Sequence, residues 1–253
     1  MKIVIKVGTS TLTCKDGGLY EKYISDLAKT LSELQDAKNQ IILVSSGAIG
    51  AGMGKLGLQK RPGSLRQKQA LAAIGQPIIM NAYAAAFKKH SKVVAQVLLT
   101  RDDFDDKTRF ANVCNTLTEL LSSAAIPIIN ENDTTAVEEI NFGDNDSLAA
   151  LVAAAVKADK LIIFTDVDGL YDGDPSKGKL ISRVDKITPE IESYASPKSQ
   201  SGKGVGGMKT KVLAAKIATA SGVDVIITNG AKLNLLGKII KEGGAGTHFP
   251  AKK

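Results

Sequence analysis

Acidic and amide side chains are concentrated at two places near the middle of the chain. An apolar segment at positions 126–129 leads into NEND at 130–133, and GDND at 143–146 opens an alanine-rich segment. Open α/β sheets bind ligands at the carboxyl ends of strands, so these groups stand where a polar ligand is expected. Taken singly, either acid of GDND could merely cap a helix, and Asp133 could lie in a solvated loop. Their combination favours a binding site.

Lys6 lies inside the first apolar segment, in the run IVIKVGTS, two residues before Gly8. A buried ammonium group costs free energy unless an anion or solvent meets it. One alternative is a lysine that reaches solvent from an edge strand. We favour a lysine that contacts a phosphate at the carboxyl end of its strand, where Gly8 lets backbone N–H groups approach the same oxygens.

A glycine-rich segment, SSGAIGAG at positions 45–52, follows the second apolar strand and offers backbone amides and a hydroxyl group to an anion. Its last glycine opens a GxGxxG pattern at positions 52–57. That pattern begins eight residues after the strand, and no acid follows until Asp102, so a Rossmann dehydrogenase is disfavoured. The segment instead predicts an anion-binding turn.

A second glycine-rich segment, GKGVGGMKTK at positions 202–211, leads into a predicted helix. It fails the P-loop register, because Met208 stands where that motif has its last glycine. Two lysines, Lys209 and Lys211, fall in the first helical turn, where cations are unfavourable unless a polyanion binds. Lys209 could alternatively be a solvated surface residue.

The sequence contains no clear pattern of metal ligands or of catalytic nucleophiles. The acidic run at positions 166–174 is a poor calcium loop, because Leu170 and Lys177 occupy positions that require oxygen ligands. The other candidate ligands and nucleophiles are isolated from one another: His90, His248, Cys14 and Cys114. We therefore predict no metal site built from protein ligands, no disulfide and no catalytic triad.

The net charge of +7 originates in one third of the chain. Positions 37–101 hold ten Lys or Arg residues and no acid, which leaves 23 basic and 26 acidic residues elsewhere. Such a segment attracts nucleotide phosphates, acidic metabolites or a nucleic acid backbone. Nucleic acid is the minor alternative, because the chain has no Trp and few aromatic residues on which bases could stack.

Apolar runs of strand length alternate with longer helical stretches. Strands apolar on both faces indicate a parallel sheet covered by helices on each side, so we predict a three-layer αβα sandwich with a mainly parallel open sheet. The predicted strands are Ile3–Val7, Ile41–Val44, Val93–Leu99, Ile126–Ile129, Leu161–Phe164 and Val225–Ile227. The predicted helices are Tyr20–Asp36, Arg66–Lys89, Asp106–Ser123, Asp146–Ala158 and Met208–Ala220. A hairpin pairing Leu170–Tyr171 with Leu180–Ile181 and a polar loop at Ser193–Gly207 complete the pattern.

We expect residues 1–253 to form one domain, since open α/β sheets of this length often do. The charged start of the chain is too short for a signal peptide, and no unbroken run of about 18 apolar residues is present. These features predict a cytoplasmic protein that makes no membrane contact.

Six motifs in order along the whole chain, KVGTS, VSSGAIGAG, INEND, FGDNDSLAA, TDVDGLY and GVGGMKTK, resemble the amino acid kinase family and, within it, the glutamate 5-kinases. The resemblance implies phosphorylation of the side-chain carboxylate of L-glutamate by ATP with Mg²⁺, giving L-glutamyl 5-phosphate in the first step of proline biosynthesis. The residue inventory suits this chemistry, because an ionised carboxylate needs no general base, and lysines and amides can neutralise a moving phosphoryl group.

The resemblance also implies roles for individual residues. Lys6 contacts the transferring phosphoryl group and belongs to the ATP site, Lys211 stabilises the nucleotide phosphates, and Asp146 holds both ammonium groups. The N-terminal part of the chain binds glutamate, with Asp133 suited to the α-ammonium group, and the C-terminal part binds the nucleotide. The implied glutamate-binding residues are Ser46, Gly47, Ala48, Asp133 and Asn145. The further implied ATP-binding residues are Gly8, Thr165, Asp166, Val205, Gly206, Gly207, Met208, Lys209 and Thr210.

Other implications and alternatives remain open at this point. Many glutamate 5-kinases carry a C-terminal PUA module, and this sequence ends at Lys253 directly after the kinase motifs, so we expect a short form. Feedback inhibition by proline and assembly into a homodimer or homotetramer are implied by the resemblance alone. The alternatives are a family member acting on another acid, such as aspartate or acetylglutamate, and a non-catalytic nucleotide- or RNA-binding protein.

Overall fold

A computed structural model describes residues 1–14, 18–60, 62–136, 145–195, 207–242 and 244–252. Its strands are β1 (Lys2–Val7), β2 (Gln40–Ser45), β3 (Val94–Leu99), β4 (Ile126–Glu131), β5 (Lys160–Thr165), β6 (Asp224–Asn229) and β7 (Thr247–Phe249). Its helices are α1 (Thr9–Leu12), α2 (Glu21–Asp36), α3 (Ala48–Lys55), α4 (Leu65–Lys88), α5 (Asp102–Asp105), α6 (Lys107–Ser122), α7 (Asn145–Ala155), α8 (Pro189–Tyr194), α9 (Met208–Ala220) and α10 (Leu236–Glu242).

In the described part of the chain, one sheet runs in the order β3-β4-β2-β1-β5-β6-β7. Every neighbouring pair is parallel except β6 and β7, which are antiparallel. β1 lies between β2 and β5, and Lys6 is level with Val44 on one side and Ile163 on the other. The carboxyl ends of the parallel strands therefore meet at one edge of the sheet, with β1 near its centre.

Helices cover both faces of this sheet, because side chains alternate between two apolar cores along each strand. Val4 points into a core shared with α6, α7 and α9. Ile3 and Ile5 point into a second core shared with α2, α3, α4 and α10. The predicted three-layer αβα architecture is confirmed.

The predicted strands and long helices all form, with ends displaced by a few residues at most. The hairpin is also confirmed, since Tyr171 and Leu180 form an antiparallel bridge. The sequence did not reveal α3, which lies in a glycine-rich segment of low helix propensity. The predicted loop at Ser193–Gly207 begins inside α8, and its residues 196–206 lie outside the described parts.

Helix α4 is long and apolar enough, by length and composition, to cross a membrane, and it is the one described helix with this property. Its apolar stretch is 39% buried inside the protein. Its buried side chains include Ile79, Tyr83 and Phe87, which pack into the second core. Within the protein, α4 packs against α3, α2 and β3.

Candidate active site

The predicted site residues gather at the carboxyl edge of the sheet. Lys6 is the last residue but one of β1, Ser46 directly follows β2, and Thr165 ends β5. In doubly wound sheets, ligands bind outside the carboxyl ends of the strands at the point where the chain connections diverge. Here that point is β1, because its two neighbours are β2 and β5.

Two lysines from opposite ends of the chain converge on one carboxylate. Lys6 Nζ lies 2.6 Å from Asp146 Oδ1, and Lys211 Nζ lies 3.1 Å from Asp146 Oδ2. The carboxylate is completely buried, and the two lysine side chains are 6% and 7% exposed. Thr210 Oγ1 donates to Asp146 Oδ2 at 2.9 Å. The expected cluster of three charges is therefore present as a geometric unit.

Local structure explains why these three residues meet. Lys6 is two residues after Val4 and so faces the layer of α7 and α9. Asp146 is in the first turn of α7, where a negative charge complements the helix dipole. Lys211 is in the first turn of α9, a position that is unfavourable for a cation by itself but is offset by Asp146.

The electrostatics of the cluster favour the ionised carboxylate. Burial alone raises the pKa of Asp146, but attraction to Lys6 and Lys211, together with hydrogen bonds from Lys6 and Thr210, leaves this pKa below its usual range. Two ammonium groups facing one carboxylate carry a net positive charge. An arrangement of this kind can bind an anionic group that reaches the strand ends.

A neutral hydrogen-bond network adjoins the charged cluster. Asn145 Nδ2 lies 2.7 Å from the carbonyl oxygen of Ser45, 2.9 Å from Ser46 Oγ and 2.8 Å from Asn130 Oδ1. Gly47 has φ +103°, a left-handed conformation that favours glycine, and α3 begins at the next residue, Ala48. The structure thus places Ser46, Gly47, Ala48 and Asn145 together.

Asp133 lies on the wall of a cavity of about 260 Å³ between α4, β3 and the end of β4. Gln76 of α4 and Gln96 of β3 line the same cavity, as does Glu131. Ser46 and Asn145 do not line it. Gln76 nevertheless joins the two areas, because Asn130 Nδ2 donates to Gln76 Oε1 at 2.8 Å.

The predicted nucleotide-binding residues occupy several strand and helix ends. Gly8 lies beside the ammonium group of Lys6, since a Cβ atom at this glycine would be 3.6 Å from Lys6 Nζ. Thr165 Oγ1 donates to the exposed Asp166 at 3.1 Å. Gly207 is the N-cap of α9, which begins with Met208, Lys209 and Thr210; Lys209 is exposed. Val205 and Gly206 lie outside the described residues.

A further polar cluster that we did not predict follows β5 and β6. Lys232 Nζ and Asn229 Nδ2 donate to Asp168 Oδ1 at 2.8 and 3.1 Å. The hydrogen bond from Lys232 lowers the pKa of Asp168. The only hint in the sequence was the second acid of the TDVDG motif, because Asn229 and Lys232 belong to a segment without a recognised pattern.

Sequence reasoning also missed three residues that hold the neutral network: Gln76, Tyr83 and Asn130. Asn130 was part of the NEND motif, but no role was assigned to it. Gln76 and Tyr83 sit among apolar and alanine residues of α4 and look like ordinary helix positions. Their contacts depend on tertiary packing, which local sequence does not encode.

The polar groups gathered at the strand ends include two lysines and several amides, which suit an anionic ligand. Across the described ranges, no group of three or more His, Cys, Asp or Glu side chains is arranged to hold a metal ion. Asp146, the acid at the centre of the lysine cluster, is already engaged by both lysines.

Comparisons with known proteins agree with this architecture. Residues 1–229 match the amino acid kinase family. A glutamate 5-kinase from Clostridium perfringens is 48% identical over 259 aligned residues, which cover 100% of this chain and 96% of that protein. A glutamate 5-kinase from Thermoanaerobacter sp. is also 48% identical, over 100% of this chain and 69% of that protein.

Two solved structures share the fold at low sequence identity. Carbamate kinase from Giardia lamblia bound to AMP-PNP superposes with a TM-score of 0.70 and 18% identity, covering 99% of this chain and 98% of that one. A product complex of T. acidophilum isopentenyl phosphate kinase gives a TM-score of 0.67 at 18% identity, covering 98% and 100%. By the family match and the 48% identity to glutamate 5-kinases, this chain belongs to the amino acid kinase family.

Proposed function

We propose that this protein transfers the γ-phosphoryl group of ATP to the side-chain carboxylate of L-glutamate, forming L-glutamyl 5-phosphate in the first step of proline biosynthesis. The observation that carries this proposal is the pair Lys6 and Lys211 held on buried Asp146, beside the amide network of Asn145. The 48% identity to glutamate 5-kinases supports glutamate as the acceptor.

Phosphoryl transfer needs charge neutralisation and in-line positioning rather than a covalent intermediate. A carboxylate oxygen of glutamate forms the new bond to phosphorus, while the bond to the bridging oxygen of ADP breaks and that oxygen keeps the electron pair. No proton moves, because a carboxylate with a pKa of about 4.3 is already ionised near pH 7. Lys6 neutralises the moving group and Lys211 the nucleotide phosphates, while Asp146 fixes both amines.

Glutamate binding divides between the two neutral areas. The N–H groups of Gly47 and Ala48 and the Ser46 hydroxyl group donate hydrogen bonds to the carboxylate that accepts the phosphoryl group, and Asn145 holds Ser46 beside them. Asp133 offers a carboxylate to the α-ammonium group from the wall of the 260 Å³ cavity. Opposite charges at the two ends then fix the direction in which glutamate lies.

ATP binding falls to the carboxyl ends of β1 and β5 and to the start of α9. Gly8 gives phosphate oxygens access beside Lys6. Thr165 and Asp166 face the nucleotide, and residues 205–211 contact its phosphates, with Val205 and Gly206 in the part that the structure does not describe. A Mg²⁺ ion that entered with the nucleotide would supply further neutralisation of charge there.

We also propose a cytoplasmic enzyme that is inhibited by proline and assembles as a homodimer or homotetramer. β3 is an edge strand paired only with β4 among the described residues, and such edges are commonly covered. Ile74 of α4 and Val93 next to β3 are large apolar side chains that are 37% and 67% exposed. Light scattering coupled to gel filtration measures the assembly state, and a monomer at micromolar concentration would refute this part.

The decisive experiment measures ADP release with glutamate, aspartate, acetylglutamate, carbamate and UMP as separate acceptors, with hydroxylamine present to trap an acyl phosphate. We expect ADP and a hydroxamate with glutamate alone. Release with another acid would reassign the substrate within the family. No release with any acceptor, together with tight and steeply salt-dependent binding to random RNA, would favour a non-catalytic binding protein instead.

A further inference from the structure

We propose that helix α4 positions the glutamate-binding groups of this enzyme, with Tyr83 and Gln76 as the positioning residues. The inference rests on the proposed function, in which Ser46 and Asn145 contact glutamate. It concerns two side chains that act on Ser46 and Asn145 through other residues: Tyr83 acts through Ser45, and Gln76, which also lines the cavity beside Asp133, acts through Asn130.

Strand alternation turns Ser45 and Asn130 toward α4. Ile41 and Leu43 of β2 lie in the core on the α4 side, so Ser45 points to that side as well. Ile126 and Ile128 of β4 lie in the same core, and the same alternation takes Asn130 there. The polar ends of two strands therefore face one helix.

Tyr83 holds the end of β2. Its hydroxyl group lies 3.0 Å from Ser45 Oγ, and the tyrosine is completely buried. Burial raises the pKa of Tyr83, so its phenol stays neutral near pH 7. Ser45 is 2% exposed, and its carbonyl oxygen accepts the 2.7 Å hydrogen bond from Asn145. Burying a phenol without a hydrogen-bond partner costs free energy. The bond between Tyr83 and Ser45 therefore stabilises the end of β2 at the point where it meets Asn145.

Gln76 holds the orientation of Asn130, and Asn130 holds that of Asn145. Asn130 Nδ2 donates to Gln76 Oε1 at 2.8 Å, while Asn130 Oδ1 accepts from the Glu131 N–H at 2.9 Å. These two bonds identify which atom of the Asn130 amide is oxygen. That oxygen accepts from Asn145 Nδ2 at 2.8 Å, so a single amide orientation is transmitted from α4 to the binding residue.

The hydrogen bonds of Asn145 leave the hydroxyl hydrogen of Ser46 available for a substrate. The Asn145 amide has two N–H hydrogens and three acceptors within 2.9 Å: the Ser45 carbonyl, Asn130 Oδ1 and Ser46 Oγ. The amide nitrogen donates and does not accept, so its two hydrogens serve all three contacts and Ser46 Oγ takes part only as an acceptor. The Ser46 hydroxyl hydrogen is then not needed within this group and can point to a substrate carboxylate.

The same helix also fixes the first turn of α3. Gly75 packs directly on that helix, since a Cβ atom at Gly75 would lie 1.8 Å from the Ala48 carbonyl oxygen and 2.5 Å from the Gly52 nitrogen. Ile79 lies beside Gly47, with its Cδ1 atom 3.3 Å from where a Cβ of that glycine would be. Positions 76, 79 and 83 share one face of α4, because they are three, four and seven residues apart, and Gly75 joins this face four residues before position 79.

The test uses Tyr83→Phe, which removes one hydroxyl group and leaves the ring. We expect the KM for glutamate to rise roughly three- to tenfold, the range for one lost buried hydrogen bond, with the KM for ATP unchanged and kcat within about twofold. Tyr23→Phe is the matched control, because Tyr23 is also buried and close to Tyr83, but its hydroxyl donates to the Gly230 carbonyl at 2.9 Å and not to Ser45. We expect Tyr23→Phe to leave the KM for glutamate unchanged.

A double-substitution cycle separates positioning from general stability. If Tyr83 acts through Ser45, then Ser45→Ala combined with Tyr83→Phe should raise the KM for glutamate no more than either substitution alone. Gln76→Met, which keeps the length of the side chain without its acceptor, should raise the same KM through Asn130 and should add to the effect of Tyr83→Phe. Thermal unfolding of each variant checks that the folded fraction is unchanged.

The results distinguish a failure of the proposed function from a failure of the positioning proposal. If the wild-type enzyme releases no ADP with glutamate, the proposed function fails, and the positioning proposal falls with it. If the wild-type enzyme is active while Tyr83→Phe and Gln76→Met keep its KM for glutamate, the positioning proposal alone is overturned. An equal rise in the KM for ATP, or full additivity between Tyr83→Phe and Ser45→Ala, would also overturn it, because each indicates a diffuse structural effect.

Discussion

Asn145 and Asp146 are neighbours in the chain, yet they belong to two different kinds of site. Asp146 joins Lys6 and Lys211 in a buried charged cluster on the side of α7 and α9. Asn145 joins the ends of β2 and β4 in a neutral network that is connected to α4 on the opposite side of the sheet. The start of α7 thus lies across the strand ends and contributes to both.

The difference matches the demands of the two substrates. A phosphoryl group in transit develops charge that must be neutralised, and fixed ammonium groups in a water-poor site do this most effectively. An amino acid must be held in one orientation, and amides with a single allowed orientation provide this without adding charge. The charged cluster should therefore determine the rate of transfer, and the neutral network should determine the affinity for glutamate.

The largest effect is expected from Asp146→Asn, which keeps the shape of the side chain and removes its charge. Lys6 and Lys211 would then lose the buried carboxylate that both of them contact, and breaking a buried ion pair costs about 3–5 kcal/mol of stability. Urea unfolding followed by circular dichroism at pH 7 measures the loss. Unchanged stability would show that the charged cluster is not a structural unit.

The stabilities of the wild type and of Asp146→Asn should also differ in how they depend on pH. The pKa of Asp146 is lowered in the folded state, so its carboxylate stabilises the fold above the unfolded pKa of about 3.9 and loses this contribution as the pH falls through the folded value. The difference in unfolding free energy between wild type and Asp146→Asn should be largest near pH 7 and should shrink below pH 4. A constant difference would contradict the assignment.

Removing one lysine at a time isolates the catalytic role of the charged cluster. Lys6→Met or Lys211→Met should lower kcat about 10²- to 10³-fold, the usual cost of one lost group aimed at developing charge, with the KM for glutamate nearly unchanged. Steady-state ADP release measures both constants. Lys216→Met is a suitable control, because Lys216 lies on the same helix as Lys211 but is half exposed and paired with Glu192. A lysine variant with near-normal turnover would refute the mechanism.

The two regions also differ in how far the sequence predicts them. Continuous β-branched runs predicted the strands of the sheet through β6, and family motifs led to Lys6, Asp146 and Lys211. Tyr83 and Gln76 could not be found this way, because an alanine-rich helix presents them as routine positions and only the packing of α4 brings them to the strand ends. β7 was missed for a related reason, since three residues are too few for a pattern.

The packing of α4 against α3, below the neutral network, can be disturbed by a substitution that changes no polar group. Gly75→Ala would put a methyl group 1.8 Å from a backbone oxygen of α3, so the helices must separate, at a cost of about 1–3 kcal/mol. The KM for glutamate should rise as the first turn of α3 moves. Gly63→Ala is the control, because no atom lies within 4 Å of its would-be Cβ. Equal thermal stability of the two variants would show that the crossing of α3 and α4 is loose.

The smallest effect is expected at the far end of the glutamate site. Asp133→Asn keeps the hydrogen-bonding shape and removes the charge proposed to meet the α-ammonium group, so the KM for glutamate should rise about tenfold, equivalent to about 1.4 kcal/mol, with kcat nearly unchanged. Because the cavity beside Asp133 is open to α4 and β3 rather than to the lysine cluster, the loss should stay confined to binding. A fall in kcat as large as that of Lys211→Met would mean that the charged and neutral regions act as one site, and the division of labour between Asn145 and Asp146 would have to be abandoned.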